Sequence, residues 1–491
     1  MSNSPSKGTA LITGFAVGAL ATALLVAGCA STNGLSSDAS LRDANALAAE
    51  KSLATAPLSP AAWPRDDWWT AFNDPQLDAL IAEALAESPT LRVAAARTRK
   101  ALAYAETAKA PLYPQVDGEA EITRRRTPEH GLTPPPFGGR WGTLHQLQVT
   151  LDWELDFWGK NRSAYESALG SARAAEIDTA AARLALSVNI AQAYVQLQRA
   201  YLQLDVAQST LKDREQIYAL TRDRNAAGVD SRLELKQAEA ALPATREQIA
   251  QLQGTIDLTR NAIAALLGKG PDRGLAIARP AADGLDAVAL PSNVPAELIG
   301  RRPDLAAQRW RVEAAQKEIA SAKAEFYPNV NLVAFIGLQS LGPAGFLSAA
   351  SRMMGIGPAA SLPIFEGGRL RGNLAGKNAD YDIAVEQYNQ LLADALRDVV
   401  DQLTSWKSVE EQRREQTKAI ADAQEAYDLA LLRYREGLGN YLQVLSAESP
   451  LLAQQSLEAD LKARNLELSI NLVRALGGGL AEAAVPVAAA R

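Results

Sequence analysis

Leu147-Gln148-Val149-Thr150-Leu151-Asp152-Trp153-Glu154-Leu155-Asp156-Phe157-Trp158-Gly159-Lys160 is the stretch that decides how this chain folds. From Leu147 to Asp156 apolar and polar residues alternate strictly. That is the period of a strand with one apolar and one polar face. About 9–11 such residues are enough to cross a bilayer in a barrel. Phe157-Trp158-Gly159 ends the alternation, and from Lys160 to Ala227 no proline occurs. The spacing predicts one helix over 160–227, roughly 100 Å long at about 1.5 Å per residue. A helix of that length needs a partner along its whole run.

Working outward, the same grammar appears twice. Lys109-Ala110-Pro111-Leu112-Tyr113-Pro114-Gln115-Val116 recurs as Ala324-Glu325-Phe326-Tyr327-Pro328-Asn329-Val330. Leu155-Asp156-Phe157-Trp158-Gly159 is echoed by Leu362-Pro363-Ile364-Phe365 and Gly367. Arg224, Gly228, Leu233, Ala238 and Glu239 match Arg433 (one place out), Gly437, Leu442, Ala447 and Glu448, and Leu267-Gly268 matches Leu476-Gly477. The chain is a duplication of roughly 210 residues, far longer than a solenoid repeat. The first repeat, 65–268, is expected to hold a helix from Pro89, strands 116–124 and 144–157, the long helix 160–227 and a return helix 231–268. The second, 301–477, repeats this as helix 303–326, strands 329–338 and 355–365, long helix 369–436 and return helix 440–476. Pro303 and Asp304 suit a helix start. Gly228-Val229-Asp230 and Gly437-Leu438-Gly439-Asn440 make the turns between long and return helices, where each Gly suits a helix C-cap. An equatorial linker, 269–300, joins the repeats, and a tail, 478–491, follows.

Composition narrows the function. The 491 residues are 47% hydrophobic but only 6% aromatic, which fits long helices packed through small side chains. A net charge of -6 gives no basic face for nucleic acid. Two histidines and one cysteine leave no His- or Cys-based metal site and no intrachain disulfide. No nucleophile, base and orienter stand together, so the chain reads as no enzyme and needs no cofactor.

The N-terminus gives an address. Lys7 precedes an apolar run, Thr9 to Gly28, that ends at Cys29. Val26-Ala27-Gly28-Cys29 resembles the lipobox of bacterial lipoproteins. The resemblance implies a signal peptide, 1–28, and covalent lipid on Cys29. No Asp follows Cys29, which by the same resemblance favours the outer membrane. Residues 29–64, rich in Ser, Ala and Asn, read as a lipidated tether.

Strand number then forces an assembly. Four strands cannot close a membrane barrel, and an open edge cannot face lipid. Three copies supply twelve strands, with the apolar faces towards lipid and the acidic ones (Glu119, Glu121, Asp152, Glu154) towards a lumen. The long helices continue that barrel as a helical tube.

These features resemble the TolC-like outer-membrane efflux proteins, and among them the NodT-type lipoproteins. Asp67-Trp68-Trp69-Thr70-Ala71-Phe72-Asn73-Asp74-Pro75-Gln76-Leu77, the stretch Leu151 to Lys160, Arg301-Arg302-Pro303-Asp304-Leu305 and the lipobox carry the likeness. It implies an α+β membrane protein: a homotrimer with a twelve-stranded outer-membrane β-barrel, a periplasmic α-helical barrel and a mixed equatorial belt. It further implies a passive duct that passes drugs or other small molecules out of a Gram-negative periplasm. Its partners would be a periplasmic adaptor and an inner-membrane RND-type transporter. A duct for secreted proteins and a periplasmic coiled-coil scaffold are the rival readings. By the resemblance, a periplasmic gate falls at Gln443 and Ser446, where the family often carries aspartates. Glu234 and Tyr434 match a closed-state latch, with Glu234 as the acid, and Asp230, four residues before Glu234, joins the gate candidates. The turns at Gly228, Val229, Gly437 and Leu438 fall at the adaptor-docking tips.

Overall fold

In the computed structural model the described residues are 31–48, 51, 63–130, 136, 138–281 and 301–479. The expected signal peptide, Cys29 and most of the expected tail lie outside them. The chain divides into two compact units.

The first unit gathers residues up to Leu41, Thr98–Ala174 and Gln308–Tyr388. It holds a four-stranded antiparallel sheet in the order β1-β2-β3-β4. The strands are β1 (Gln115–Arg126), β2 (Trp141–Glu154), β3 (Asn329–Leu341) and β4 (Arg352–Ser361). Each repeat contributes one hairpin, and β2 pairs with β3 across the repeats. The register sets Val116 against Leu151, Ala120 against Leu147, Leu147 against Leu338, and Ile336 against Met354. Cross-strand partners share a face. One face is therefore a continuous apolar surface, with Val116, Ile122, Val149, Ile336 and Ile356 all well exposed. The other face carries a polar ladder. Gln339 donates to Gln146 (3.1 Å), Gln146 to Gln148 (2.7 Å) and Gln148 to Glu119 (3.2 Å).

Strand ends differ from the sequence reading for physical reasons. β2 stops at Glu154, not at 157, because Asp156 turns to cap the next helix. Its carboxylate accepts from the backbone N–H of Asn161 (3.2 Å) and Arg162 (2.8 Å). Gly159 makes that turn with φ 76°. β4 runs 352–361 instead of 355–365. It starts where Arg352 pairs with Leu338 and ends before Pro363, which has no N–H for a ladder. β1 and β3 are each longer than expected at the loop end. Helix α1 spans Pro75–Glu87, α2 Pro89–Lys109, α3 Lys160–Ala226, α4 Arg232–Leu266, α5 Pro303–Ala324, α6 Arg369–Arg435 and α7 Tyr441–Ala475. From α2 onward these bounds lie within one or two residues of those read from sequence, the usual range at frayed helix ends, while α1 has no counterpart in the sequence reading.

The segment after Cys29 departs further from expectation. A free tether needs no docking contacts, yet described residues of this stretch are held to the fold. Asp382 accepts from the backbone N–H of Ala39 (3.0 Å), and Arg371 donates to the carbonyls of Ser31 and Asn33. Leu35 packs on a small core of Ile319, Phe326, Leu370 and Leu374. Composition alone suggests a tether; the partners that dock it lie in α5, just after its end at Phe326, and in α6.

The second unit comprises Arg42–Arg97, Ala175–Ala307 and residues from Asn389 onward. Its main core joins Trp68, Phe72, Leu77 and Ile81 to Ile190, Tyr194 and Leu197 of α3, Ile263 of α4 and Ile470 of α7. Asp74 caps α1 and also accepts from the Tyr194 hydroxyl at 2.6 Å. Arg302 is buried and ties Asp304 (2.6 Å) to Asp398 (3.3 Å), so the Arg-Arg-Pro-Asp motif serves packing as well as helix initiation. Pro243 and Pro450 lie inside continuous helices. Of the equatorial linker, residues 269–281 are described and include one helical turn, Asp272–Leu275.

Candidate functional site: hairpin tips and membrane face

Both helical hairpins end in the same device. Gly228 and Gly437 take φ of 74° and 75°, a left-handed C-cap that costs glycine least. The N–H groups of Val229 and Leu438 close back on the carbonyls of Arg224 (2.9 Å) and Arg433 (2.8 Å). Ser231 and Asn440 then cap α4 and α7. Val229, Leu233, Leu438 and Leu442 are exposed around these turns.

Behind the turns a polar cluster ties the α3–α4 hairpin to α6. The Tyr434 hydroxyl donates to Asp230 at 2.6 Å. Arg224 donates to both Asp230 oxygens, at 2.9 and 3.2 Å, and to the Tyr434 carbonyl at 3.0 Å. Its guanidinium also sits 4.6 Å from the Tyr434 ring centroid. Thr221 contacts the same hydroxyl at 2.8 Å. The Arg224 and Asp230 side chains are only 14% and 7% exposed, so the pair is shielded from screening. Burial raises the Asp230 pKa, but the hydrogen bonds from Arg224 and Tyr434 and the Arg224 charge outweigh it and hold the carboxyl below the usual range. Burial and the bond to Asp230 push Tyr434 up to about 12.

The acid in this cluster is therefore Asp230. Glu234, the acid expected from the resemblance, closes a capping box instead. Its carboxylate accepts from the Ser231 backbone N–H (2.9 Å) and hydroxyl. The Ser231 hydrogen bond holds Glu234 below its ordinary pKa. A Ser-x-x-Glu sequence at a helix start is a local signal for this fate. Gln443 and Ser446 are exposed on one side of the first turns of α7. Their nearby bonds are local: the Gln443 N–H to Asn440 (3.1 Å) and the Ser446 hydroxyl to the Leu442 carbonyl (2.8 Å).

Sequence reading missed a second polar tie one layer further in. Arg214 of α3 donates to both oxygens of buried Glu448 of α7, each at 2.9 Å, and to Thr245 of α4 at 2.8 Å. Tyr427, Tyr434 and Tyr441 pack beside it. The repeat alignment held a clue. Glu239, the counterpart of Glu448, is exposed and pairs with Lys236, so the duplicated position has split in role.

In the first unit, the sheet's apolar face ends at a girdle on the helix side. Trp158 stacks on Tyr327 at 4.7 Å and 18° and donates to the Pro328 carbonyl at 2.8 Å. Tyr113, Phe157 and Phe365 are exposed beside them. Exposed aromatics bordering an apolar sheet face mark a membrane–water boundary.

The outer membrane efflux protein family model matches residues 80–269 and again 294–478, once in each repeat and over more than half the chain. The chain belongs to the outer membrane efflux protein family. It is 42% identical over 385 residues to the fusaric acid resistance protein FusA of Burkholderia cepacia, covering 77% of this chain and 71% of that protein. It is 34% identical over 430 residues to the multidrug resistance outer membrane protein MdtP of Escherichia coli K12, covering 86% and 88%. Among solved structures, VceC of Vibrio cholerae superposes with a TM-score of 0.80 at 37% identity, covering 85% of this chain and all of that one. The fold is the family's: four strands given to a trimeric outer-membrane β-barrel that long helices continue as an α-helical barrel. The protein is an outer-membrane efflux channel of a Gram-negative bacterium.

Proposed function

We propose that this efflux channel is the passive exit duct of a tripartite, RND-type pump. A homotrimer takes drugs or other small molecules from an inner-membrane transporter through a periplasmic adaptor. The duplicated sheet with one lipid-suited face, continued by paired 67-residue helices, carries this reading. The duct performs no chemistry and takes no cofactor. The relatives named for fusaric acid and multidrug resistance favour small molecules over secreted proteins.

Within that duct, the Asp230–Arg224–Tyr434 cluster acts as the closed-state latch of the periplasmic end. Gln443 and Ser446 form a polar constriction without the field of carboxylate rings. The turns at Gly228, Val229, Gly437 and Leu438 dock the adaptor, and their exposed leucines and valine supply the apolar contact. Lipid on Cys29 adds an anchor beside the docked segment that follows it. Single-channel recording of the purified trimer in planar bilayers tests the duct. Channels whose open probability rises when the latch is broken support it. Silence in the wild type and in every latch variant, with the trimer intact, overturns it.

A further inference from the structure

The outward face of the sheet changes character at its loop end. Arg124 and Arg126 continue the row of Val116, Ala120 and Ile122, and the register sets them opposite Thr143 and Trp141. Trp141 is well exposed, and the Arg124 guanidinium lies 5.8 Å from its ring. Arg352 opens β4 opposite Leu338, which itself pairs with Leu147 of the apolar row. It therefore lies on the same face. Among the described residues neither Arg124 nor Arg352 has a carboxylate partner, while Arg126 donates through Nε to the Gly139 carbonyl at 2.9 Å and pairs with the exposed Glu129 at 3.3 Å. Guanidinium groups on a lipid-facing surface are costly without an anion.

β1 and β4 are the two edges of the sheet. When three copies close the barrel, β4 of one protomer lies beside β1 of the next. β1 ends at the loop side with Arg124 and Arg126, and β4 begins there with Arg352. Within one chain Arg352 is level with Leu338, Leu147 and Ala120, four residues short of Arg124, so each junction sets Arg352 of one protomer along the same loop-side rim as Arg124 and Arg126 of the partner subunit. The helices leave from the other end of the sheet into the periplasm, so this end meets the outer leaflet.

We propose that each protomer junction binds the phosphate groups of a lipid A-type glycolipid of the outer leaflet through Arg124, Arg126 and Arg352. Guanidinium forks match phosphate oxygens bidentately. Trp141 sits at the boundary of headgroup and acyl chain, where its amphipathic ring is stable. The proposal rests on threefold closure of the barrel.

Native mass spectrometry of the full-length trimer in detergent tests it, with lipid A, lipid A stripped of its phosphates, and phosphatidylglycerol as probes. Wild type is expected to retain lipid A with a maximum of one per junction and to lose the phosphate-free form. Arg124→Gln, Arg126→Gln and Arg352→Gln together are expected to weaken retention roughly a hundredfold. Arg125→Gln, one residue along and on the other face, is expected to leave it unchanged. The same spectra read the oligomer mass, so a failure of closure is seen separately. If the triple variant does not assemble, Arg352→Gln alone is read, with a loss of about fivefold expected. Equal retention of the phosphate-free lipid, or full retention by an assembled variant, overturns the proposal. Competition by phosphatidylglycerol as strong as by lipid A also overturns it and assigns the junction to glycerophospholipids.

Discussion

Asp230→Asn is the substitution that weighs most on the duct. The change keeps the shape of the side chain and removes its charge. Arg224 then loses the anion it grips at 2.9 and 3.2 Å, and Tyr434 loses a charged acceptor at 2.6 Å. Hydrogen bonds to charged groups contribute about 1.5–3 kcal/mol each, and Asn still accepts neutral ones. A net loss of about 2 kcal/mol per protomer is the reasonable centre. Opening that breaks the latch in all three protomers then becomes easier by about 6 kcal/mol, a factor of about 10⁴ in the closed-to-open ratio. In planar bilayers the wild type is expected to give rare, brief openings and Asp230→Asn sustained ones. Tyr434→Phe tests the other side of the same bond, and the double variant is expected to add little, since both remove one interaction. Glu234→Ala removes only the capping box, costs about 1 kcal/mol of helix stability and is expected to keep the channel closed. An intact Asp230→Asn trimer that stays as closed as the wild type, while Glu234→Ala opens, refutes this assignment.

Open probability is also expected to depend on pH. Asp230 titrates below its ordinary value, so its contribution is present above the usual carboxylate range and fades as pH falls through the lowered folded value. Tyr434 is raised to about 12, so its contribution is full below the usual tyrosine range and is lost as pH rises through about 12. Recordings from pH of about 5 to 9 should therefore be flat, with opening at strongly acidic pH. Glu448→Gln leaves the Arg214 guanidinium buried without its counter-charge; thermal unfolding of the trimer is expected to report a loss of about 3 kcal/mol, reduced by adding Arg214→Met. Gly355→Val brings a Cβ within 2.6 Å of the Phe335 ring, so the yield of trimer by size-exclusion chromatography should diminish and recover with Phe335→Ala.

Much of the fold is legible residue by residue. Backbone geometry imposes periods of two and 3.6, and each period leaves its mark on neighbouring side chains. The alternation from Leu147 to Asp156 therefore reads as a strand, and the proline-free runs after Lys160 and Arg369 as single helices. The duplication sets the order of elements, and the turn glycines Gly228 and Gly437 need only local chemistry to be recognised.

The candidate latch was only half legible. Tyr434 could be picked from sequence, but the resemblance pointed to Glu234 as the acid and left Asp230 only a neighbouring gate candidate. Glu234 has a partner three residues away in Ser231, while Asp230 meets Tyr434 across 204 residues of chain. Arg224 showed only as a matching point in the repeat, and Arg214 not at all. Repeat symmetry even obscured Glu448, because its counterpart Glu239 looks the same in sequence and stays in solvent. The docked segment after Cys29 is a further case, since its composition matches a loose linker and its partners Asp382 and Arg371 lie far along the chain.

Sequence by itself therefore determined the elements, their order, their duplication and the two-sided character of the sheet, because periodicity and capping act over a few residues. Tertiary structure alone decided which acid meets Tyr434, which of two duplicated glutamates is buried, and where the N-terminal segment lies. Those outcomes depend on which side chains helix packing brings within about 3 Å, and residues hundreds of positions apart carry no local trace of that distance.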